Sequence, residues 1–268
     1  MKLPSLRKKP FVSVVSLSGV IAANIRGGGL SIDSVGPLLV RAFKAKGAKA
    51  VALRINSPGG SPVQSSLIGG AIRRLADETE LPVHAFVEDV AASGGYWIAT
   101  AADDIWVDDS SITGSIGVIS AGFGFVDALG KLGVERRVHT AGEDKSILDP
   151  FRPERAEDVA RLKQLQAKIH DAFKHQVRTR RGARLVEDRD LFTGEIFVGD
   201  EGVAAGLVDG VAHMAPKLKE LYGEDIRFRV LARRRPLLAR LMPGIAAEAA
   251  EAASHVVREH AMRARYGL

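Results

Sequence analysis

Cysteine is absent from this sequence of 268 residues. Without a thiol, the chain can form no disulfide, no thiolate metal site and no cysteine nucleophile. Aromatic residues are scarce, at 6%, and they are not interleaved with the basic clusters as they are in single-strand binders. Zinc-finger spacing is also missing. We therefore expect no nucleic-acid partner, although the formal net charge of +6 would permit anionic partners.

Long hydrophobic runs are lacking as well. Residues 11–23 form an apolar run that follows Lys8 and Lys9, as in a signal peptide. The run is shorter than the about 20 apolar residues that span a bilayer. Its valines and its alternating serines favour a buried strand instead. We therefore expect no transmembrane segment in this chain and a cytoplasmic location.

The remaining pattern alternates strands with helices, which predicts an α/β sheet built from crossover units. The composition, 46% hydrophobic and 26% charged, is that of a globular protein. Apolar residues at helical spacing predict helices over residues 32–46, 63–79 and 153–180. Short apolar runs predict strands at residues 11–23, 51–55, 82–87, 105–107, 116–120 and 134–140.

Ser93 is the residue with the most informative surroundings. It lies in an Ala-Ser-Gly-Gly-Tyr run at 92–96, and Lys145 follows within residues 141–146. A serine between small residues can present its hydroxyl at a tight turn, and Ser-Lys is a known pairing of nucleophile and base. An isolated Ser-Gly-Gly run is more often a turn or a helix N-cap. The assignment therefore depends on the neighbouring motifs.

Two further motifs flank Ser93. Asn-Ser-Pro-Gly-Gly occupies residues 56–60, and Ile-Thr-Gly-Ser-Ile-Gly-Val occupies residues 112–118. Together with the Ser93 and Lys145 segments, and in this order, they resemble the signal peptide peptidase A family of Ser-Lys serine proteases, which are relatives of the Clp-protease/crotonase fold. The resemblance implies repeated ββα units in a peptidase domain over residues 1–211. Beyond it we expect a mostly helical extension over residues 212–268.

The resemblance also implies a role for each site residue. Ser93 corresponds to the nucleophile, Lys145 to the general base and Ser115 to the serine that hydrogen-bonds the lysine amine. The backbone N–H groups of Gly60 and Gly94 correspond to the oxyanion hole. Ser115 and the Gly60 turn are equally compatible with ordinary turn positions. No cofactor and no metal are implied.

Lys145 must lose its proton to act as a base. A free lysine has a pKa of about 10.4 and is protonated at neutral pH. Burial beside apolar groups disfavours the ammonium form, at about 1.4 kcal/mol for each pKa unit. We therefore expect Lys145 to be desolvated.

The predicted activity is that of a serine endopeptidase that cleaves signal-peptide remnants or other hydrophobic peptide segments. The apolar residues beside the motifs predict a mainly hydrophobic substrate groove; they are Phe86, Val87, Val90 and Ile119. Two alternatives stay open: an inactive scaffold or assembly protein of the same fold, and a crotonase-like acyl-CoA enzyme. A Ser-His-Asp triad is disfavoured, because none of the seven histidines has a glycine-flanked or acid-paired sequence context.

Assembly is the last expectation. The related folds form rings, and the helix predicted at 153–180 has an apolar stripe that one protomer need not cover, so we expect a homo-oligomer. Arg233, Arg234 and Arg235 precede a short apolar stretch that begins at Leu237. This basic amphipathic segment predicts either contact with a neighbouring subunit or peripheral contact with an anionic membrane.

Overall fold

The computed structural model describes residues 10–23 and 29–231. The basic segment at 233–235 and the helix expected near the end of the chain lie outside these residues. The described chain forms two compact units. One unit comprises residues up to Ile116 together with residues from Gln176 onward, and the other is Gly117–His175.

The first unit is built on one eight-stranded sheet. Six strands follow the order β6-β5-β3-β2-β1-β8, while β4 pairs with β3 and with β7. All pairs are parallel except the antiparallel pair of β5 with β6. The strands are β1 (Phe11–Ser18), β2 (Ala48–Ser57), β3 (Val83–Ala92), β4 (Asp104–Val107), β5 (Ile112–Gly114), β6 (Ile196–Val198), β7 (Gly210–Val211) and β8 (Arg227–Leu231).

The three central strands are buried because their sequences carry apolar residues on both faces. Val12, Val14 and Val15 of β1 have no exposed surface, and the same is true of Val51 and Leu53 of β2. Strands with helices packed on both faces have this near-continuous apolar pattern. The prediction of an α/β sheet is confirmed.

Seven α-helices accompany the strands in the described chain, and local signals fix several helix ends. Ser31 and Ser34 form a reciprocal capping box at the start of α1, and Ser61 caps α2 ahead of Pro62 at its first position. The helices are α1 (Ile32–Phe43), α2 (Pro62–Thr79), α3 (Gly94–Ala99), α4 (Val126–Lys131), α5 (Ala156–Arg181), α6 (Asp200–Ala204) and α7 (Met214–Tyr222).

Two predicted strands are wrong. Residues 116–120 and 134–140 carry the β-branched residues that favour strands, yet neither segment pairs with another strand in the described chain. A strand needs a hydrogen-bonding neighbour, and Ile119 and Val134 are instead exposed, at 75% and 53%. The second unit therefore consists of α4, the first part of α5 and irregular chain.

The sheet continues past the domain boundary expected at residue 211. Strand β8 pairs in parallel with β1, with Phe11 opposite Arg227 and Val15 opposite Leu231. Leu218 of α7 is fully buried in the same core cluster as Val12. Residues 214–231 are therefore integral to the sheet of the first unit.

Candidate active site

The carboxyl ends of three parallel strands bring together most of the predicted site. Ala92, the last residue of β3, pairs with Gly114, the last residue of β5. Ser93 and Ser115 are therefore the first residues beyond two neighbouring strands. The turn after β2, which contains Gly60, leaves the sheet at the same edge because Ser57 pairs with Ala91. In parallel α/β sheets this edge is where ligands bind.

Ser93 occupies a strained turn between β3 and α3. Its φ of 51° and ψ of −121° lie in a region that side chains other than glycine rarely adopt. Its N–H donates to the Gly114 carbonyl at 2.8 Å, and its carbonyl accepts from Trp97 N–H at 3.0 Å. These two bonds hold the strained backbone in place. In α/β-hydrolases, a strand-to-helix turn of this kind presents the nucleophilic serine.

The alternative interpretation of Ser93 as an ordinary helix cap is wrong. Ser93 stands at the N-cap position of α3, but its side chain makes no capping hydrogen bond. A capping serine would instead accept from an N–H of the first helical turn. The half-buried hydroxyl is thus not used to stabilise the helix.

Three glycines let the turn after β2 approach Ser93 closely. A Cβ on Gly59 would lie 2.7 Å from Gly94 N and 2.9 Å from Ser93 Cβ, and a Cβ on Gly60 would lie 2.1 Å from Ile21 O. Gly60 also has a φ of 143°. A Cβ on Gly94 would lie 3.4 Å from Gly60 N. Side chains at these positions would push the two turns apart.

The same approach brings two free donors together. Gly94 N–H stands in the first turn of α3, where it has no acceptor within the helix. Ile21 bridges the Gly60 turn through the neighbours of Gly60, by Ile21 N–H to Gly59 O at 2.9 Å and Ser61 N–H to Ile21 O at 2.7 Å. Within residues 10–23 and 29–231, neither Gly60 N–H nor Gly94 N–H donates a hydrogen bond. Paired free N–H groups beside a serine have the chemistry of an oxyanion hole.

Ser115 is half-buried and also has a strained backbone, with a φ of 51°. Its N–H donates to the Glu195 carbonyl at 2.7 Å. Gly114 before it has a φ of 87°, and a Cβ there would lie 2.8 Å from the Phe197 ring. Sequence reasoning did not foresee that β6, which carries Phe197, fixes this turn.

Lys145 lies in the second unit, in a 3-10 turn at Glu143–Ser146. Its N–H donates to Gly142 O at 3.3 Å. Its side chain is exposed. The expectation that Lys145 is desolvated is therefore wrong for the described chain.

Three of the residues predicted to line a substrate groove belong to the core. Phe86, Val87 and Val90 are 3%, 5% and 2% exposed. Phe86 packs in the core cluster that also contains Leu218 of α7, and Val90 packs with Ala92 and Ile112. The prediction that these three residues line a groove is wrong. Both faces of this sheet are covered, so the side chains of its central strands are buried whichever face they point to. Ile119 alone of the four is exposed.

Two histidines pair with acids, which the sequence context did not indicate. His213 Nε2 lies 2.8 Å from Asp108 Oδ2 at the surface. Buried His84 has its Nδ1 2.8 Å from Asp104 Oδ2 and its Nε2 2.7 Å from the Tyr222 hydroxyl. His84 is nine residues before Ser93 on the extended strand β3, which amounts to roughly 30 Å. It cannot serve Ser93 as a base.

The described part of the chain contains neither a candidate metal site nor a candidate membrane span. No group of three histidine or acidic side chains there could hold a metal ion. No helix among those residues has the length and apolar character needed to cross a bilayer.

The profile of Peptidase family S49 matches residues 76–222, more than half of the chain. The matched span includes Ser93, Ser115 and Lys145. The chain belongs to peptidase family S49. The resemblance to signal peptide peptidase A is thereby confirmed, because S49 relatives carry that name or the name Protease 4.

The S49 chain covers only part of its curated relatives. Protease 4 of Haemophilus influenzae is 32% identical over 182 residues, which are 67% of this chain and 29% of the relative. A protein of Brucella melitensis named Na(+)/H(+) antiporter NhaA is 49% identical over 251 residues. That match covers 89% of this chain and 34% of the Brucella protein. The chain thus spans about a third of the length of these two relatives.

Solved structures support the S49 fold. The 1510-N membrane-bound stomatin-specific protease, as a lysine-to-alanine mutant in complex with a substrate peptide, superposes with a TM-score of 0.54 at 16% identity. The match covers 85% of this chain and 94% of that one. A serine-to-alanine mutant of the same protease gives a TM-score of 0.53. At this identity the likeness establishes the fold alone.

Proposed function

We propose that this S49 chain is a serine endopeptidase with a Ser93–Lys145 dyad that cleaves hydrophobic peptide segments such as signal-peptide remnants. The observation that carries the proposal is the strained turn at Ser93, whose side chain makes no capping hydrogen bond and which packs closely against the Gly59–Gly60 turn, where Gly60 N–H and Gly94 N–H are both free. Strain of this kind persists where the surrounding structure enforces it, and it is common at active sites.

The proposed reaction begins when Ser93 Oγ attacks the scissile carbonyl carbon while its proton passes to the neutral amine of Lys145. The carbonyl oxygen becomes an oxyanion that accepts hydrogen bonds from Gly60 N–H and Gly94 N–H. The C–N bond then breaks as the Lys145 ammonium returns its proton to the leaving amine. Water, deprotonated by Lys145, attacks the resulting ester on Ser93; the acyl C–Oγ bond breaks, and the Lys145 ammonium returns the proton to Ser93 Oγ as the carboxylic acid product leaves. Ser115 orients the lysine amine through its hydroxyl.

The exposure of Lys145 has a consequence for the kind of substrate that the site can use. Lys145 is exposed in the described chain, and we propose that bound substrate covers it and excludes water from the amine. A hydrophobic peptide segment would exclude water from Lys145, whereas a polar segment would not. This requirement supports hydrophobic substrates independently of the relatives' names. The bound peptide in the stomatin-specific protease supports peptide as the substrate class.

Two other functions have less support. An acyl-CoA enzyme of the crotonase type would use the paired N–H groups but would need neither Ser93 nor Lys145. An inactive scaffold has no use for the strain at Ser93. The antiporter name of the Brucella protein does not support transport by this chain, because the family profile that matches residues 76–222 is that of a peptidase.

The dyad is tested by mutation and active-site labelling. Ser93→Ala, Lys145→Ala and the double variant should lose peptidase activity to similar, non-additive extents. A fluorophosphonate probe should label Ser93 in the parent and should label Lys145→Ala much more slowly. Lys145→Ala with normal turnover at neutral pH would overturn the dyad. Acyl-CoA binding without labelling would favour the crotonase-type alternative.

Substrate preference is tested with a peptide library. We expect leucine or alanine before the scissile bond to be preferred over aspartate or lysine. A profile dominated by charged residues at that position would contradict the hydrophobic substrate class.

We also propose that the protein is a homo-oligomer in the cytoplasm, with or without peripheral contact to a membrane. Leu165 and Ile169 of α5 support self-association, since they are 41% and 38% exposed on the apolar stripe of the helix. Residues four apart share one face of a helix, so one neighbouring copy can cover both side chains.

A further inference from the structure

The segment that follows Lys145 is held in an unusual conformation. Leu148, three residues after the lysine, has a φ of 55°, which places a branched residue in the left-handed region. Such a residue stays there only when its surroundings enforce the conformation. The side chain that accepts the Leu148 backbone N–H is that of Asp158, which has no part in the reaction proposed above.

Asp158 lies in the first turn of α5 and is 6% exposed. Its Oδ2 accepts from Leu148 N–H at 3.3 Å and from Arg155 Nε at 3.1 Å. Its Oδ1 accepts from Arg155 Nη2. The hydrogen bonds from Arg155 hold the pKa of Asp158 below its ordinary value, so the group is a carboxylate at neutral pH. One buried carboxylate thus joins the strained loop to the helix.

Two more contacts fix the same loop. Ser146, directly after Lys145, accepts from Arg152 Nη1 at 3.1 Å through its hydroxyl. Asp149 binds Arg136 and accepts from Phe151 N–H at 3.1 Å. Polar groups therefore hold the chain at one, three and four residues after the lysine. Since each residue has only two soft backbone dihedrals, these contacts restrict the direction in which the 3-10 turn presents Lys145.

We propose that Asp158, with its partner Arg155, is a positioning residue for Lys145. The proposal rests on the proposed function, since it assumes that Lys145 is the base. Asp158 acts through the backbone of Leu148 and touches no substrate. It sets where the amine stands, and small misplacements of a catalytic group have large effects on rate.

A purely structural role for Asp158 makes different predictions. An acidic residue in the first turn of a helix interacts favourably with the helix dipole, and this role would involve α5 alone. Asp158 instead accepts from an N–H ten residues upstream. A helix-stabilising role would change stability without changing the chemistry that depends on Lys145.

The test is a double-mutant cycle on the full-length protein. Asp158→Ala should lower kcat about tenfold or more, change KM less than about threefold, and slow fluorophosphonate labelling of Ser93. In a Lys145→Ala background, the same substitution should alter the residual rate less than about twofold, because the residue acts only through the lysine. Asp158→Asn keeps an oxygen for Leu148 N–H and should recover part of kcat.

Controls separate the outcomes. Glu157→Ala removes an exposed acid from the same turn of α5 and should leave kcat unchanged. Circular dichroism of each variant checks that it is folded, so that only folded proteins are compared. If Asp158→Ala does not fold, Asp158→Asn takes its place in the double-mutant cycle. Equal losses in both backgrounds, or normal kcat for Asp158→Ala, overturn the positioning role while leaving the dyad intact. An active Lys145→Ala enzyme instead overturns the proposed function itself.

Discussion

At the scale of single residues, Ser93 combines a strained backbone with a proposed role as nucleophile. Its φ of 51° costs free energy of folding that a glycine would not incur. Serine is nevertheless present, and its hydroxyl contributes no capping bond to α3. The strain therefore has no compensation within the turn itself, and the bonds to Gly114 and Trp97 must hold it.

Because of this strain, we expect glycine at position 93 to give a more stable protein than alanine, which is the reverse of the usual order. Ser93→Gly should be more stable than Ser93→Ala by about 1 kcal/mol, since relief of about 1–3 kcal/mol of strain exceeds the entropic cost of glycine, about 0.5–1 kcal/mol. Both variants should be inactive. Thermal and urea unfolding measure the difference. Ser66, exposed in α2, is the matched control, and there the alanine variant should be the more stable one.

At the scale of elements, buried polar links tie helices to the sheet. Arg181, at the end of α5, is 3% exposed and donates to Gly206 O at 2.9 Å. It also forms a two-pronged pair with Asp209, with Nη1 2.7 Å from Oδ2 and Nη2 3.2 Å from Oδ1. Asp209 accepts in turn from Ile105 N–H of β4 at 2.7 Å. One arginine thus joins α5, the segment before β7, and β4.

Removal of that arginine should be costly. Arg181→Met leaves the carboxylate of Asp209, which is 20% exposed, without its main partner, so we expect a loss of about 3 kcal/mol in the free energy of unfolding. Arg184 is the matched control, because its side chain is 48% exposed and lies 3.5 Å from the same carboxylate. Arg184→Met should cost less than about 1 kcal/mol. Urea unfolding of both variants checks this, and similar losses would contradict it.

Tyr222 of α7 contacts His84 of β3, and the raised pKa of Tyr222 determines how the free energy of unfolding should depend on pH. Tyr222 Oη lies 2.7 Å from His84 Nε2, and His84 Nδ1 lies 2.8 Å from Asp104 Oδ2. Burial, with Asp104 and Asp103 adding to it, raises the pKa of Tyr222 to about 12. The unfolded phenol ionises near pH 10, so its contribution to stability is complete below pH 10 and is lost as pH rises towards 12.

Tyr222→Phe should therefore flatten the alkaline fall in stability. Urea unfolding midpoints at pH 8, 10 and 11 measure it for the parent and the variant. Burial also raises the pKa of Tyr96, whose hydroxyl donates to Leu207 O at 2.6 Å. Part of the fall should accordingly persist in Tyr222→Phe. An identical pH dependence in the two proteins would rule out Tyr222 as a contributor.

The sequence predicted elements well where their signals are local. Helix α2 was expected at residues 63–79 and spans Pro62–Thr79, because Ser61, Pro62 and the apolar spacing all lie within it. Strands that depend on distant partners were predicted poorly. Strand β8 has an exposed, arginine-containing sequence and exists because β1 offers an edge. Conversely, residues 116–120 have a strand-like sequence and no partner in the described chain.

The site residues also divide into those that local sequence marks and those whose state depends on distant contacts. The Ser93 turn was predictable because small residues and glycines mark it in the sequence. The free state of Gly60 N–H depends on Ile21 bonding to the neighbours of Gly60, which no local pattern reveals. Exposure of Lys145 was equally hidden, since the apolar Ile147 and Leu148 beside it pointed towards burial.

At the scale of the whole molecule, the proposed machinery draws on both units. The sheet unit contains Ser93, Ser115, Gly60 and Gly94, whereas Lys145 belongs to Gly117–His175. Assigning nucleophile and base to different units makes activity dependent on both folding correctly. A stable sheet unit alone should therefore be inactive even though its strained turn is intact.

Two truncations separate folding from assembly. A chain that ends at Leu231 keeps β8 and the core residues Leu218 and Ile226, so it should fold. A chain that ends at Val211 lacks them, exposes Val12 and Val14 along one side of β1, and should fail to fold. Circular dichroism and proteolysis distinguish these two outcomes.

The chain that ends at Leu231 also tests how the protein assembles. We expect the full-length protein to be a homo-oligomer by light scattering, and the shortened chain to become smaller or polydisperse because it lacks the segment from Arg233 onward. If the shortened chain keeps the full-length assembly, the contact lies in the described residues, with Leu165 and Ile169 as the first positions to mutate. A monomeric full-length protein would refute self-association. Binding to anionic vesicles that disappears only on deletion would assign the segment to a membrane surface instead.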